Sequence, residues 1–289
     1  MRDYAITTDS SCDFDQALAD SLGVTVVPLS VQIGPRRFRN APGEAMDSHS
    51  FYQLLSQGEL AQTSAPNVEE FKAVWRPILQ SGRDLLYLGF SSGLSGTYHN
   101  AAIAAEDLRE EFPEARIITV DTLCASLGQG MLVDLTVQEK RQGKTLDEAA
   151  AFAEKNRLHL CHWFTVGDLS QLRRGGRLSA GKAIVGNLLN IKPVLHVDDE
   201  GHLVPMASAK GRKKSIEALV SHMEESAVAP EQQRVYISHS DCLADAQLLA
   251  QMVRDRLHVS SVTIGDVGPV IGAHSGAGTL ALFFVGTHR

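Results

Sequence analysis

The chain has 289 residues, 44% of them hydrophobic and 21% charged, and its 27 Lys and Arg against 34 Asp and Glu give a formal net charge of −7. At roughly 100–200 residues per domain this is one large or two medium domains, and the near-average composition excludes a disordered, collagenous or fibrous chain. No apolar run approaches the roughly 20 residues of a membrane-spanning helix, and the mildly acidic balance gives no general attraction to nucleic acid.

Charge follows at once after Met1, in Arg2 and Asp3, which predicts no signal peptide. Tyr4–Thr8 reads as a first strand, closed by the polar turn Asp9-Ser10-Ser11-Cys12-Asp13, and Val24–Val31 as a second. Asn67-Val68-Glu69-Glu70 is an Asn form of the capping box, and Val68, Phe71, Trp75, Ile78 and Leu79 follow at helical spacing, with Pro77 expected to bend or shorten that helix. Asp84–Phe90 is a buried-strand candidate, followed by a Gly/Ser turn and a helix over Thr97–Glu111. Arg116–Val120 is the next strand, followed by helices over Ser126–Arg141 and Thr145–Arg157. Strand and helix alternate with polar residues at strand ends, so the first half is α/β on a largely parallel sheet. The polar clusters at 9–13, 63–67, 91–97 and 121–126 become candidate site walls.

The second half reads as a strand over Leu158–Val166, a basic run Arg173-Arg174-Gly175-Gly176-Arg177, and a strand over Ile191–Val197. A hairpin turn at Asp198–Gly201 leads into Leu203–Met206. A helix near Lys214–Glu225, a strand at Arg234–Ser240, a helix over Cys242–Leu257 and a strand at Ser261–Ile264 follow. A Gly-rich loop over Gly265–Gly278 and a last strand, Thr279–Val285, complete it. These strands fit no simple βαβ series, which predicts a mixed sheet and a two-domain α/β chain divided as 1–157 and 158–289.

Cys12, Cys124, Cys161 and Cys242 are scattered, with no Cys-x-x-Cys, so no zinc knuckle or disulfide framework is predicted and the thiols read as reduced and cytoplasmic. His159, Cys161 and His162 are close, but strand alternation turns His162 away from the others, and no metal site is predicted.

Ser91-Ser92-Gly93-Leu94-Ser95-Gly96-Thr97-Tyr98 joins a buried strand to a helix, where backbone N–H groups and the helix dipole favour an anion. Ser95 falls at the N-cap, where its hydroxyl either caps the helix or donates to a carboxylate or phosphate. Neither a Walker loop nor a Gly-x-Ser-x-Gly nucleophile elbow is present. Pro66 restrains Ala65 to extended backbone and so fixes the direction of Thr63. Among the glycines of 272–278, His274 has an imidazole able to donate to an anion or simply to sit in a permissive loop. The run 173–177 reads equally as a phosphate binder or a solvated helix end, and Lys210-Gly211-Arg212-Lys213-Lys214 as a solubilising patch or a docking surface.

Ile6–Asp13, Val27-Pro28-Leu29, Thr63-Ser64-Ala65-Pro66, Ser91–Tyr98, Asp121-Thr122, Leu172–Ser179, Ile191-Lys192-Pro193 and Ala273-His274-Ser275-Gly276 occur in the order seen in DegV proteins. The chain resembles that family over essentially its whole length. The resemblance implies a protein that buries one long-chain fatty acid between two domains, as in FakB, the fatty-acid-binding subunit of bacterial fatty acid kinase. The family's carboxylate-binding residues fall on Thr63, Ser95 and His274, with Ser64, Gly96, Thr97, Arg177 and Ala273 in the head-group vicinity. Ala65 stands where the family usually has Gln. Lys210, beside Arg212, falls on a basic position that helps dock the kinase, where some members have Arg, whose bidentate geometry Lys lacks.

The implied role is binding without catalysis, with a fatty acid as ligand, a separate kinase as partner, and no cofactor, metal, nucleic acid or membrane span. The alternative is a hydrolase or phosphatase using Ser95 with His274 as base and Asp9 or Asp121 orienting it.

Overall fold

The computed structural model describes residues 2–167, 169–178 and 190–289; Ser179, the last residue of one of the motifs above, lies outside them. The first half contains β1 (Tyr4–Asp9), α1 (Gln16–Leu22), β2 (Thr25–Val27), β3 (Ser30–Ile33), β4 (Arg36–Arg39), α2 (Ser48–Ser56) and β5 (Ala61–Ser64). It continues with α3 (Val68–Gln80), β6 (Asp84–Gly89), α4 (Thr97–Glu111), β7 (Ile117–Asp121), α5 (Ser126–Arg141) and α6 (Leu146–Asn156). The second half contains β8 (Leu160–Thr165), α7 (Ser170–Arg174), β9 (Ile191–Val197), β10 (Leu203–Lys210), α8 (Arg212–Ser226), β11 (Arg234–His239), α9 (Leu243–Leu257), β12 (Ser261–Asp266), α10 (Pro269–Ser275) and β13 (Leu280–Val285).

Three sheets result. β2-β1-β6-β7 is a four-stranded parallel sheet, β10-β9-β8-β13-β11-β12 is mixed, and β4-β3-β5 is antiparallel. The predicted α/β class, with a parallel sheet in the first half and a mixed one in the second, is what the chain forms. The small antiparallel sheet is an addition, and it arises where a single strand over 24–31 was expected. Pro28 has no N–H to donate and interrupts that run, so β2 stays in the parallel sheet while β3 starts another.

Local signals set the helix starts. Asn67 and Glu70 form both halves of a capping box on α3, as Thr145 and Glu148 do on α6, each cap worth about 1 kcal/mol. Pro77 does not shorten α3, which runs through it to Gln80. α1 and α2, which carry no long apolar period, begin on Asp15 and Asp47, whose carboxylates accept from Leu18 and Ser50 N–H.

The residues 265–278 also differ from the expected loop. β12 reaches Asp266, and α10 occupies Pro269–Ser275 with Pro269 in its first turn, where a missing N–H is harmless. Gly272 belongs to this helix because a side chain there would collide with the Tyr52 ring.

α5 holds the two larger sheets together. Its residues from Ser126 to Asp134 are all buried, and its apolar side chains share one core with Ile6, Leu86 and Leu88 of the parallel sheet and Phe164, Ala281 and Phe283 of the mixed sheet. The mixed sheet's other face packs on α8 and α9. The face turned to α5 is left open near β8, β13 and β11, beside the carboxyl ends of the parallel strands.

Candidate functional site

Asp9, at the carboxyl end of β1, is fully buried and organises the loop after β6. Its carboxylate accepts from the Tyr87 hydroxyl at 2.6 Å and Phe90 N–H at 2.9 Å, and burial raises its pKa. Ser91 Oγ donates to Gly201 O at 2.9 Å, which pins the loop to the β9–β10 turn. The loop therefore enters α4 in a fixed conformation. Gly96, not Ser95, is the N-cap. Ser95 sits one residue earlier, with its Oγ 2.8 Å from Thr97 Oγ1 and accepting from Thr97 N–H at 3.2 Å.

Thr63 comes to the same place from β5. Along β5 Thr63 is half-buried and Ser64 exposed, so Ser64 faces away. Thr63 Oγ1 lies 2.8 Å from Nε2 of His274, on the last turn of α10. Gly175 is needed opposite, since a Cβ there would stand 2.5 Å from His274 Nδ1. Arg177 Nε donates to Leu94 O at 3.2 Å, and its Nη1 to Gly175 O. Burial, aided by the positive charge of Arg177, lowers the His274 pKa to about 4, so the imidazole is neutral at pH 7.

These side chains meet at the wall of a cavity of about 220 Å³. Thr63, Ser95, Gly96, Arg177 and His274 line it, and its walls are largely apolar, with Phe90, Leu94, Phe164, Val270, Ile271 and Phe283 among them. Three of the four polar clusters singled out in the sequence supply lining residues. The fourth contributes Asp13, which accepts from the hydroxyl of the lining residue Ser126 at 2.5 Å.

Several expected neighbours are elsewhere. Ala273 packs with Phe51, Tyr52 and Val270, because adjacent residues of a helix point to different sides. Thr97 is buried and does not line the cavity, although its Oγ1, 2.8 Å from Ser95 Oγ, keeps it beside the clamp. Lys210 is exposed at the end of β10. Arg212 is taken by an ion pair, with Nε 2.8 Å from Asp245 Oδ2, and ties α8 to α9.

Ser126, from the cluster at 121–126, lines the cavity, and so do His162 and Ser238, which were not anticipated as site residues. For His162 the alternation of β8 was the available signal, since Cys161 and Trp163 belong to the opposite core. Among the described residues no group of three or more His, Cys, Asp or Glu is placed to hold a metal, and no helix is long and apolar enough to cross a membrane.

The serine-hydrolase arrangement does not form. Ser95 engages Thr97, His274 engages Thr63, Asp9 is spent on Phe90 and Tyr87, and Asp121 Oδ1 accepts from Ser92 and Leu123 N–H. Among the described residues no hydrogen bond joins Ser95 to His274 or a carboxylate to His274.

The fold that carries this cavity has counterparts among known proteins. A DegV domain-containing protein of Clostridium perfringens is 42% identical over 286 residues, spanning 99% of this chain and 98% of that protein. Among solved structures, a fatty-acid-binding DegV family protein of Thermus thermophilus superposes with a TM-score of 0.87 at 33% identity, covering 98% of this chain and 99% of that one. A DegV lipid-binding protein of Thermotoga maritima does so with a TM-score of 0.88 at 28% identity, covering 99% of each. The profile of the family described as "Uncharacterised protein, DegV family" matches residues 3–287, end to end with the fold just described, and the chain belongs to that family.

Proposed function

We propose that the protein binds one long-chain fatty acid, with the tail in the apolar cavity and the carboxylate at Thr63, Ser95 and His274. The observation that carries this reading is the lining of the cavity: most of its wall is aromatic and aliphatic, and Thr63, Ser95, His274 and the Arg177 guanidinium come together on it. A tail of palmitate or oleate length has about 14–16 methylenes at about 0.8 kcal/mol each, a gross gain on the order of 11–13 kcal/mol before ordering costs. Tail burial thus supplies most of the affinity. The clamp supplies orientation, because a carboxylate leaving water needs donors to replace its hydration. Thr63 and His274 exchange their mutual hydrogen bond for bonds to the acid, and the anion draws the imidazole pKa back up. The chain divides into lobes at 157/158, with the acid between them.

The reading extends to a separate kinase. Gly96 is exposed beside the clamp, so the acid end adjoins solvent, and the chain carries no Walker loop of its own. A partner would transfer the γ-phosphoryl group of ATP to a carboxylate oxygen, breaking the bond to the β-phosphate oxygen and giving an acyl phosphate and ADP. The exposed Lys210 is the proposed docking contact. Four unpaired cysteines fit a reducing, cytoplasmic setting. Native mass spectrometry of delipidated protein re-exposed to palmitate or oleate tests the binding claim: one bound acid per chain is expected, and no bound lipid with either acid overturns it.

A further inference from the structure

The end of the cavity away from the clamp is closed by a second polar set. Leu195, Phe164, Ala281 and Ser238 form one row across β9, β8, β13 and β11. At about 4.8 Å per strand, the row crosses roughly 14 Å of sheet. The clamp lies towards the β9–β10 side, where Leu178, next to Arg177, bridges to Leu203. α10 gives the same polarity independently. Its last turn holds His274, and Gly268, just before its first residue, donates from N–H to Asp13 Oδ1 at 3.0 Å. Both gauges place Ser238 and Asp13 opposite the clamp.

There Ser238 Oγ lies 3.1 Å from Ser126 Oγ, which donates to Asp13 Oδ2 at 2.5 Å. Ser238 is fully buried, Ser126 nearly so, and both Ser126 (φ 54°) and Asp13 (φ 56°) hold left-handed backbone that non-glycine residues seldom adopt. The wall they make is one residue thick. Ser126, Val267 and Ser238 line the acyl cavity, while the residues that follow each of them, Leu127, Gly268 and His239, line a second cavity of about 600 Å³. Asp13, Asp15, Asp47 and Asp266 also line that second cavity, so methylenes pushed through would gain little.

We infer that the hydrogen-bonded set Asp13–Ser126–Ser238 is the end-stop of the acyl cavity and fixes the longest tail the protein accepts. The inference rests on the fatty-acid reading above. Each methylene that finds apolar wall is worth about fourfold in affinity, and each that meets the stop forfeits it. The stop is tested from both sides. Ser126→Gly opens it without backbone strain, and Ser238→Ile advances it along the floor. Delipidated wild type and both variants are offered an equimolar mixture of laurate, myristate, palmitate, stearate and arachidate, and the bound acids are quantified by native mass spectrometry. The expected result is a bound optimum that moves to a longer acid in Ser126→Gly and to a shorter one in Ser238→Ile, by about tenfold or more in the ratio of adjacent acids, which differ by two methylenes. An unchanged length profile in both folded variants, with acids still bound, overturns the end-stop alone. No acid bound by the wild type overturns the fatty-acid reading instead.

Discussion

The two ends of the cavity are both polar and differ in how their hydrogen bonds are used. At the clamp, Thr63 and His274 are half-buried, pair with one another, and sit beside exposed Gly96. Their bond can be traded for one to an incoming anion at little net cost. At the stop, Asp13 has a protein donor on each oxygen, Ser126 and Gly268 N–H, and burial lifts its pKa to about 7. A carboxylate held by protein donors on both oxygens is part of the fold, whereas two groups bonded only to each other beside an exposed residue are available to a ligand. The same chemical vocabulary therefore does two jobs, decided by how many protein partners each group has.

The largest effect that would break this comparison is on stability. Asp13→Ala takes the acceptor from the Gly268 N–H and leaves the Ser126 hydroxyl only Ser238 as a partner, and is expected to cost about 1–3 kcal/mol in chemical denaturation. Asp13→Asn, which keeps an acceptor, should lose far less. If Asp13→Ala unfolds with wild-type stability, the far end is not the closed structural element described. At the clamp the order reverses. Ser95→Ala and His274→Ala should change stability by no more than about 0.5 kcal/mol while weakening palmitate binding by about 10- to 100-fold in titration calorimetry. Equal losses of stability at both ends would erase the distinction.

A smaller effect is expected from pH, where the two ends act oppositely. Burial holds the pKa of His162 well below 6.5 and those of His196 and His274 at about 4. The unfolded chain therefore takes up more protons than the folded one between about pH 4 and 6.5, so this contribution is intact above pH 6.5 and is lost as pH falls. Asp13, raised from 3.8 to about 7, contributes fully below pH 3.8 and loses that contribution as pH rises through 7. Denaturation across this range should show Asp13→Asn gaining relative stability towards pH 8, with the acid-side loss unchanged. An identical profile in the variant would contradict the Asp13 assignment.

What the sequence made legible was local. Asn67 with Glu70 and Thr145 with Glu148 announce helix starts within four residues, and α4, α5 and β9 fall where periodicity put them. α10 was hidden because its glycines look like a loop, and the reason for Gly272 is the ring of Tyr52, over 200 residues away in the chain. Ser64 and Ala273 were grouped with their neighbours in sequence, although strand alternation and helical turn send them to other faces. Thr63 and His274 are 211 residues apart, and spacing gave no hint of their contact; only the family resemblance paired them. Ser126 and Ser238, 112 residues apart, share no motif, and nothing local marks them as the cavity's end.

Whether the clamp holds a carboxylate is decided by a crystal structure of the protein with palmitate. Continuous density is expected along the cavity, its carboxylate within hydrogen-bonding distance of Thr63 Oγ1, Ser95 Oγ and His274 Nε2, and its methyl end towards Ser238. Density with the acid reversed, or lying outside the cavity while Thr63 and His274 stay paired, would contradict it.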